Sequence, residues 1–175
     1  MAEKKKRVNG KSKGSGFERL IAKLLTSWSG ELFSKVPASG GLRWGKDHRV
    51  AGDIVPPVDS EFPFCIECKK HEGWLMDDLI KGTGNIVKWW NQCTRDADNI
   101  EKTPLLVFSR NRAPIFFMVR YEDFVKLCDN GSNFTTNYLI TTLDKGDGEL
   151  ECVGVGIFDE LLTFEKEYLY QIISE

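Results

Sequence analysis

The sequence predicts an α/β fold with a mixed central sheet, and three observations carry that prediction. An amphipathic helical stretch opens the folded part of the chain. Apolar segments of strand length then alternate with helical ones, and two of those segments are joined by a tight polar link that suits an antiparallel hairpin. With 175 residues and 41% hydrophobic composition, the chain can bury one good core, which points to a single domain.

Residues 1–13 carry Lys4, Lys5, Lys6, Arg7, Lys11 and Lys13 against one acid, Glu3, and are expected to form a disordered basic arm. Phe17, Leu20, Ile21, Leu24, Leu25 and Trp28 step by three and four, predicting a helix over 16–28 ended by Ser29-Gly30. "ELFSKV" (31–36) reads as a short strand closed by Pro37. The Gly-rich basic loop "ASGGLRWGKDHRVAG" follows, then a strand over 52–55 stopped by Pro56-Pro57. Phe62, Phe64 and Ile66 alternate with Cys65, Glu67 and Lys69, which gives a third strand with two chemically different faces. A helix over 85–100 is expected to bury Ile86, Trp89, Trp90, Cys93 and Ala97. Trp89 and Trp90 would point about 100° apart, so both cannot enter one core. "PLLVFS" and "PIFFMVRY" form the hairpin around "RNRA", and "YEDFVKLC" a short helix. Residues 138–157 read as further strands about the turn "DKGDGE", and residues 158–172 as a closing helix.

No apolar run approaches the roughly 18 to 20 residues that cross a membrane, and no apolar h-region follows the basic N-terminus. The expectation is a soluble protein of the cytoplasm, in a prokaryotic cell or in the host of a virus. The five cysteines are odd in number and scattered, as reduced thiols rather than a disulfide framework would be. The net charge of −2 hides an asymmetry, because beyond Thr141 acids dominate (Asp144, Asp147, Glu149, Glu151). A polyanion would therefore meet the first two-thirds of the fold.

The stretch "FCIECKK" (64–70) offers two chemistries. Cys65 and Cys68 have a C-x-x-C spacing, but residues three apart on a strand point to opposite faces and cannot easily grip one ion. A structural zinc needs four ligands, and the chain supplies no second C-x-x-C and only the isolated His48 and His71. Glu67 and Lys69, two apart, share a face. If strands 52–55 and 63–69 form a hairpin folded about Ser60, Asp53 lies opposite Glu67, and two facing carboxylates call for a cation between them. A hard ion such as Mg2+ takes such oxygens and keeps positions open for water and a phosphate. Lys69 could then act on the attacking water or offset charge in the transition state. Glu18, at the edge of the first helix's apolar stripe, can reach inward.

"KGSGFERLIAKLL" with Glu18, "VPASGG" with Ser39, "GDI" with Asp53 and "CIECKK" with Glu67 and Lys69 occur in the order and approximate spacing of archaeal-type Holliday-junction resolvases. The chain resembles that family, within the PD-(D/E)XK nuclease superfamily, over roughly residues 13–120. The resemblance implies an αβββαβ nuclease core, a two-fold homodimer, and Mg2+-dependent symmetric nicking of four-way DNA junctions, with Mn2+ as a substitute. It assigns the metal to Asp53, Glu67 and the carbonyl of Cys68, with Glu18 completing the shell. Lys69 would serve the attacking water, Ser39 the scissile phosphate, and Gln92 the DNA or water. Gly52 stands where the family usually has proline. Residues 14–175 are then one nuclease domain, with a core to about 128 and an extension over about 129–175 that the resemblance does not reach.

Arg43, Lys46 and Arg49, in the loop between Ser39 and Asp53, are the expected phosphate contacts, with Arg110 and Arg112 secondary. Two other readings stay open: a different PD-(D/E)XK endonuclease that cuts duplex or branched DNA, and a non-catalytic nucleic-acid-binding protein.

Overall fold

The computed structural model describes residues 10–37, 51–130, 137–146 and 148–175. Its elements run α1 (Gly10–Ser29), β1 (Ser34–Lys35), β2 (Ile54–Val55), β3 (Phe64–Lys70), α2 (Met76–Lys81), α3 (Asn85–Asp98), β4 (Thr103–Ser109), β5 (Phe116–Arg120), α4 (Tyr121–Asn130), β6 (Leu139–Gly146), β7 (Glu149–Ile157), α5 (Phe158–Leu161) and α6 (Lys166–Ser174). Five strands form one sheet in the order β3-β4-β5-β7-β6. The β3–β4 pair is parallel and the other pairs antiparallel, so the sheet is mixed, as the sequence predicts. A parallel pair cannot be closed by a tight turn. Here α2 and α3 supply the crossover.

Parity along the strands separates two cores. Phe64, Ile66, Leu105, Val107, Phe117 and Val119 face α1, α4 and α6, while Leu106, Phe108, Met118, Val153 and Val155 face α2 and α3. Covering both faces explains why the strands read as near-continuous apolar runs. The residues expected to form an extension are integral to this arrangement, because β7 lies between β5 and β6. The indole Nε1 of Trp28 also donates to the Phe164 carbonyl at 2.8 Å, tying the C-terminal segment to α1.

Several local expectations change. The first helix begins at Gly10, so residues 10–13 of the expected arm are helical, and residues 1–9 lie outside the described residues. β2 pairs with β1, in register Lys35 to Ile54, and not with β3, whose ladder partner is β4. The proposed 52–55/63–69 hairpin is therefore not a ladder; the parallel crossover takes β3's other edge and only Asp53 bridges to β3. The closing helix is two helices, α5 and α6, separated by a turn in which Thr163 Oγ1 donates to the Glu160 carbonyl at 2.7 Å. α2 was not expected. Its start is capped by Asp78, whose Oδ2 accepts the Leu75 N–H at 2.8 Å, and its end by Gly82 at φ 61°. Of the adjacent tryptophans Trp90 enters the core, its Nε1 donating to Glu151 Oε2 at 2.9 Å, while Trp89 stays half-buried. Among the described residues no helix is long and apolar enough to cross a membrane.

Candidate active site

β3 carries the functional row on one face. Cys68 falls in the core under α1, whereas Glu67 and Lys69 project on the opposite side, toward α3. The C-x-x-C pair is thereby split, and burial pushes the Cys65 thiol up to about 12 and those of Cys68 and Cys93 well above their ordinary range. Thiolate ligation or redox work is disfavoured at all three.

Asp53 is fixed at the uncovered edge of β3. Its N–H donates to the Ile66 carbonyl at 2.7 Å, its carbonyl accepts the Val36 N–H at 2.8 Å, and its Oδ2 accepts the Cys68 N–H at 2.7 Å. Gly52 makes this approach possible. It sits at φ 77°, and a Cβ there would overlap the Ile66 carbonyl. A residue in an extended strand presents its N–H and C=O to the same edge. The Cys68 carbonyl therefore also lies on the Asp53 side, away from β4.

Glu67 is only 3% exposed. Burial first, then repulsion from Asp53, push its carboxyl up to about 7, against the opposing pull of Lys69. The Asp53 carboxyl is likewise raised, by burial; the Cys68 N–H, Lys69 and Lys35 pull it down and Glu18 pushes it up. Lys69 Nζ donates to Glu67 Oε1 and, at 3.1 Å, to Gln92 Oε1. Gln92 thus stands where a helix residue can hold the lysine. On α1, Glu18 accepts from Lys35 Nζ at 3.2 Å, and Lys35 also donates to the Val36 carbonyl at 3.2 Å.

The structure therefore brings Asp53, Glu67, Lys69 and Gln92 into one cluster, flanked by Glu18. Ser39, Arg43, Lys46 and Arg49 lie outside the described residues. At the β4–β5 turn Arg112 is exposed, while the Arg110 guanidinium lies 5.3 Å from the centre of the Trp74 ring. Sequence reasoning missed Lys35. Nothing in its type sets it apart from the other basic residues; only the β1–β2 register, which puts it opposite Ile54, reveals that it neighbours Asp53.

Among the described residues no three His, Cys, Asp or Glu side chains gather into a metal site on their own. The donors that do converge are hard oxygens, namely two carboxylates and the Cys68 carbonyl edge. Both carboxyls resist ionisation because they are buried with like charge nearby. A divalent cation would reverse that penalty, and oxygen donors of this kind suit a hard ion rather than a thiolate-seeking one.

The comparisons with known proteins agree with this chemistry. A family model described as "Phage putative PDDEXK endonuclease" matches residues 9–171. Protein D14 of Escherichia phage T5 is 28% identical over 163 residues, covering 89% of this chain and 92% of that protein. No solved structure matches.

Proposed function

The chain belongs to the phage PDDEXK endonuclease family, and from that premise we propose that it is a Mg2+-dependent endodeoxyribonuclease selective for branched DNA. Four-way junctions are the preferred substrate, nicked in symmetric pairs by a homodimer. The observation that carries the catalytic part is the convergence of Asp53, Glu67 and Lys69 at the open edge of β3. The junction preference rests on the ordered motifs around Glu18, Ser39, Asp53 and Glu67-Cys68-Lys69.

In this reading Asp53 and Glu67 hold the cation, with the Cys68 carbonyl as a third donor. Mg2+ is the expected ion, and Mn2+ a substitute. When bound, the ion polarises the phosphate and lowers the pKa of water. The Lys69 ammonium, steadied by Gln92, offsets the negative charge that builds on the phosphate oxygens as water adds, giving up a proton to solvent, and the opposite P–O bond breaks, its departing oxygen taking up a proton. Glu18, anchored by Lys35, orients the attacking water. Ser39, Arg43, Lys46 and Arg49 would grip phosphates beside the cut.

Cleavage of a four-way junction and of linear duplex of the same sequence, with and without Mg2+, tests the reading, alongside Asp53→Asn. Mg2+-dependent nicking of the junction, much faster than of the duplex and lost in Asp53→Asn, is expected. Equal rates on the two substrates would sink the junction preference and leave a general endonuclease. Cleavage untouched by Asp53→Asn or by omission of metal would sink the active site. DNA binding without any cleavage would instead favour a non-catalytic binding protein.

A further inference from the structure

Glu67 and Lys69 are followed, one residue past the end of β3, by His71, whose N–H donates to the Ser109 carbonyl at 3.1 Å, and the α3 flank runs beside them. Gln92 meets Lys69, Trp89 meets His71, and Asn85 Nδ2 donates to the Gly73 carbonyl at 3.3 Å. The His71 and Trp89 rings pack edge to face, centroids 5.7 Å apart at 68°. His71 is exposed and Trp89 half-buried, one part of its ring resting on the core beneath α3.

Two features set this pair apart from an ordinary surface contact. The exposed imidazole is fixed, because its Nδ1 accepts the Gly73 N–H at 2.9 Å, and any side chain at Gly73 would press on the ring. Its position is also tied to the chemistry. Two strand residues advance about 7 Å and three helix residues about 4.5 Å, so the pair lies one nucleotide's reach from Lys69. An aromatic surface held by these contacts beside the reacting phosphate offers a nucleobase a face to stack on.

We propose that Trp89, backed by His71, is a stacking platform for an unpaired nucleobase flanking the scissile phosphate. Within a duplex, base faces are covered by their neighbours. At a branch point or a frayed end one face is free, and stacking on an aromatic is indifferent to which base it is. The pair would therefore read branching rather than sequence. The inference deepens the proposed nuclease reading and rests on it for the location of the cut.

The test is binding in Ca2+ to a four-way junction carrying 2-aminopurine at the branch point, compared with linear duplex, for the wild type, Trp89→Ala, Trp89→Phe and His71→Ala. Wild type and Trp89→Phe should quench the probe. Trp89→Ala should not, and should bind the junction roughly 5- to 150-fold more weakly with duplex affinity unchanged. Loss of equal size on both DNAs, or quenching that survives Trp89→Ala, overturns the proposal. If Trp89→Ala does not fold, the surface variant His71→Ala decides: weakened junction binding and reduced quenching support the platform, and wild-type behaviour overturns it. Neither readout requires cleavage, so an inactive active site would register separately as absence of nicking in Mg2+.

Discussion

Replacing Glu67 by Gln is expected to stabilise the metal-free protein at pH 8 while abolishing cleavage. The Glu67 carboxyl stands at about 7 in the fold against an ordinary 4.5, chiefly because it is buried and secondly because Asp53 repels it. A carboxyl raised in the folded state keeps its proton longer there than in the unfolded chain. The contribution of Glu67 to stability is then fully present below about pH 4.5, is lost as the pH rises toward 7, and the full penalty stands above that. That difference corresponds to a ceiling of about 3 kcal/mol on the ionised form, and relaxation around the charge leaves about 1–2 kcal/mol as the expected gain. Gln keeps the shape of Glu and an oxygen that accepts from Lys69, and removes only the charge. Urea unfolding in EDTA at pH 4.5 and pH 8 measures the effect. Glu67→Gln should match the wild type at the lower pH and exceed it at the higher one. A variant no more stable than wild type at pH 8, or equally stabilised at both pH values, would refute the picture of an uncompensated buried carboxylate. Asp53, raised in the same direction, should leave a smaller slope of the same sign in the variant.

Gly52→Ala should cost about 2–4 kcal/mol, because it combines a left-handed φ with overlap of the new Cβ and the Ile66 carbonyl. Urea unfolding measures the loss, and cleavage should fall with it as Asp53 leaves the Cys68 N–H; a variant as stable as wild type would refute the close approach. A chain ending at Asn130 should show no cooperative thermal unfolding, because it lacks β7 and β6 and leaves the β5 edge and the core beneath α4 open. A sharp melt in circular dichroism would show instead that residues 14–128 fold alone.

Elements with strong local periodicity were readable from the chain. The stripe from Phe17 to Trp28, the alternation in 62–69 and the apolar pair around "RNRA" each name their own structure, because burial on one side writes a period of 3.6 or 2 into the sequence. Parity alone also separated Cys65 from Cys68 and placed Glu67 with Lys69. The reading of Asp53 as Glu67's neighbour reached the right place by the wrong pairing. A two-residue strand has too little pattern to fix its partner, and β2 turned to β1 while one backbone bond, to the Ile66 carbonyl, and the Asp53 carboxylate on the Cys68 N–H held Asp53 to β3. α2 went unnoticed because six residues are too short for a period to stand out, although Asp77, Asp78 and Gly82 are start and stop signals.

The sequence by itself determined the alternation of helices and strands, the shared face of Glu67 and Lys69, and the kinship to a nuclease family, since each is a local or ordered property of the chain. Tertiary structure alone decided that Lys35 steadies Glu18, that Gln92 holds Lys69, that Trp90 is buried while Trp89 stays half-buried against His71, and that residues beyond 129 complete the sheet. Those facts depend on contacts between segments far apart in sequence, whose register is fixed by which apolar faces close on one another, and no single segment carries that information.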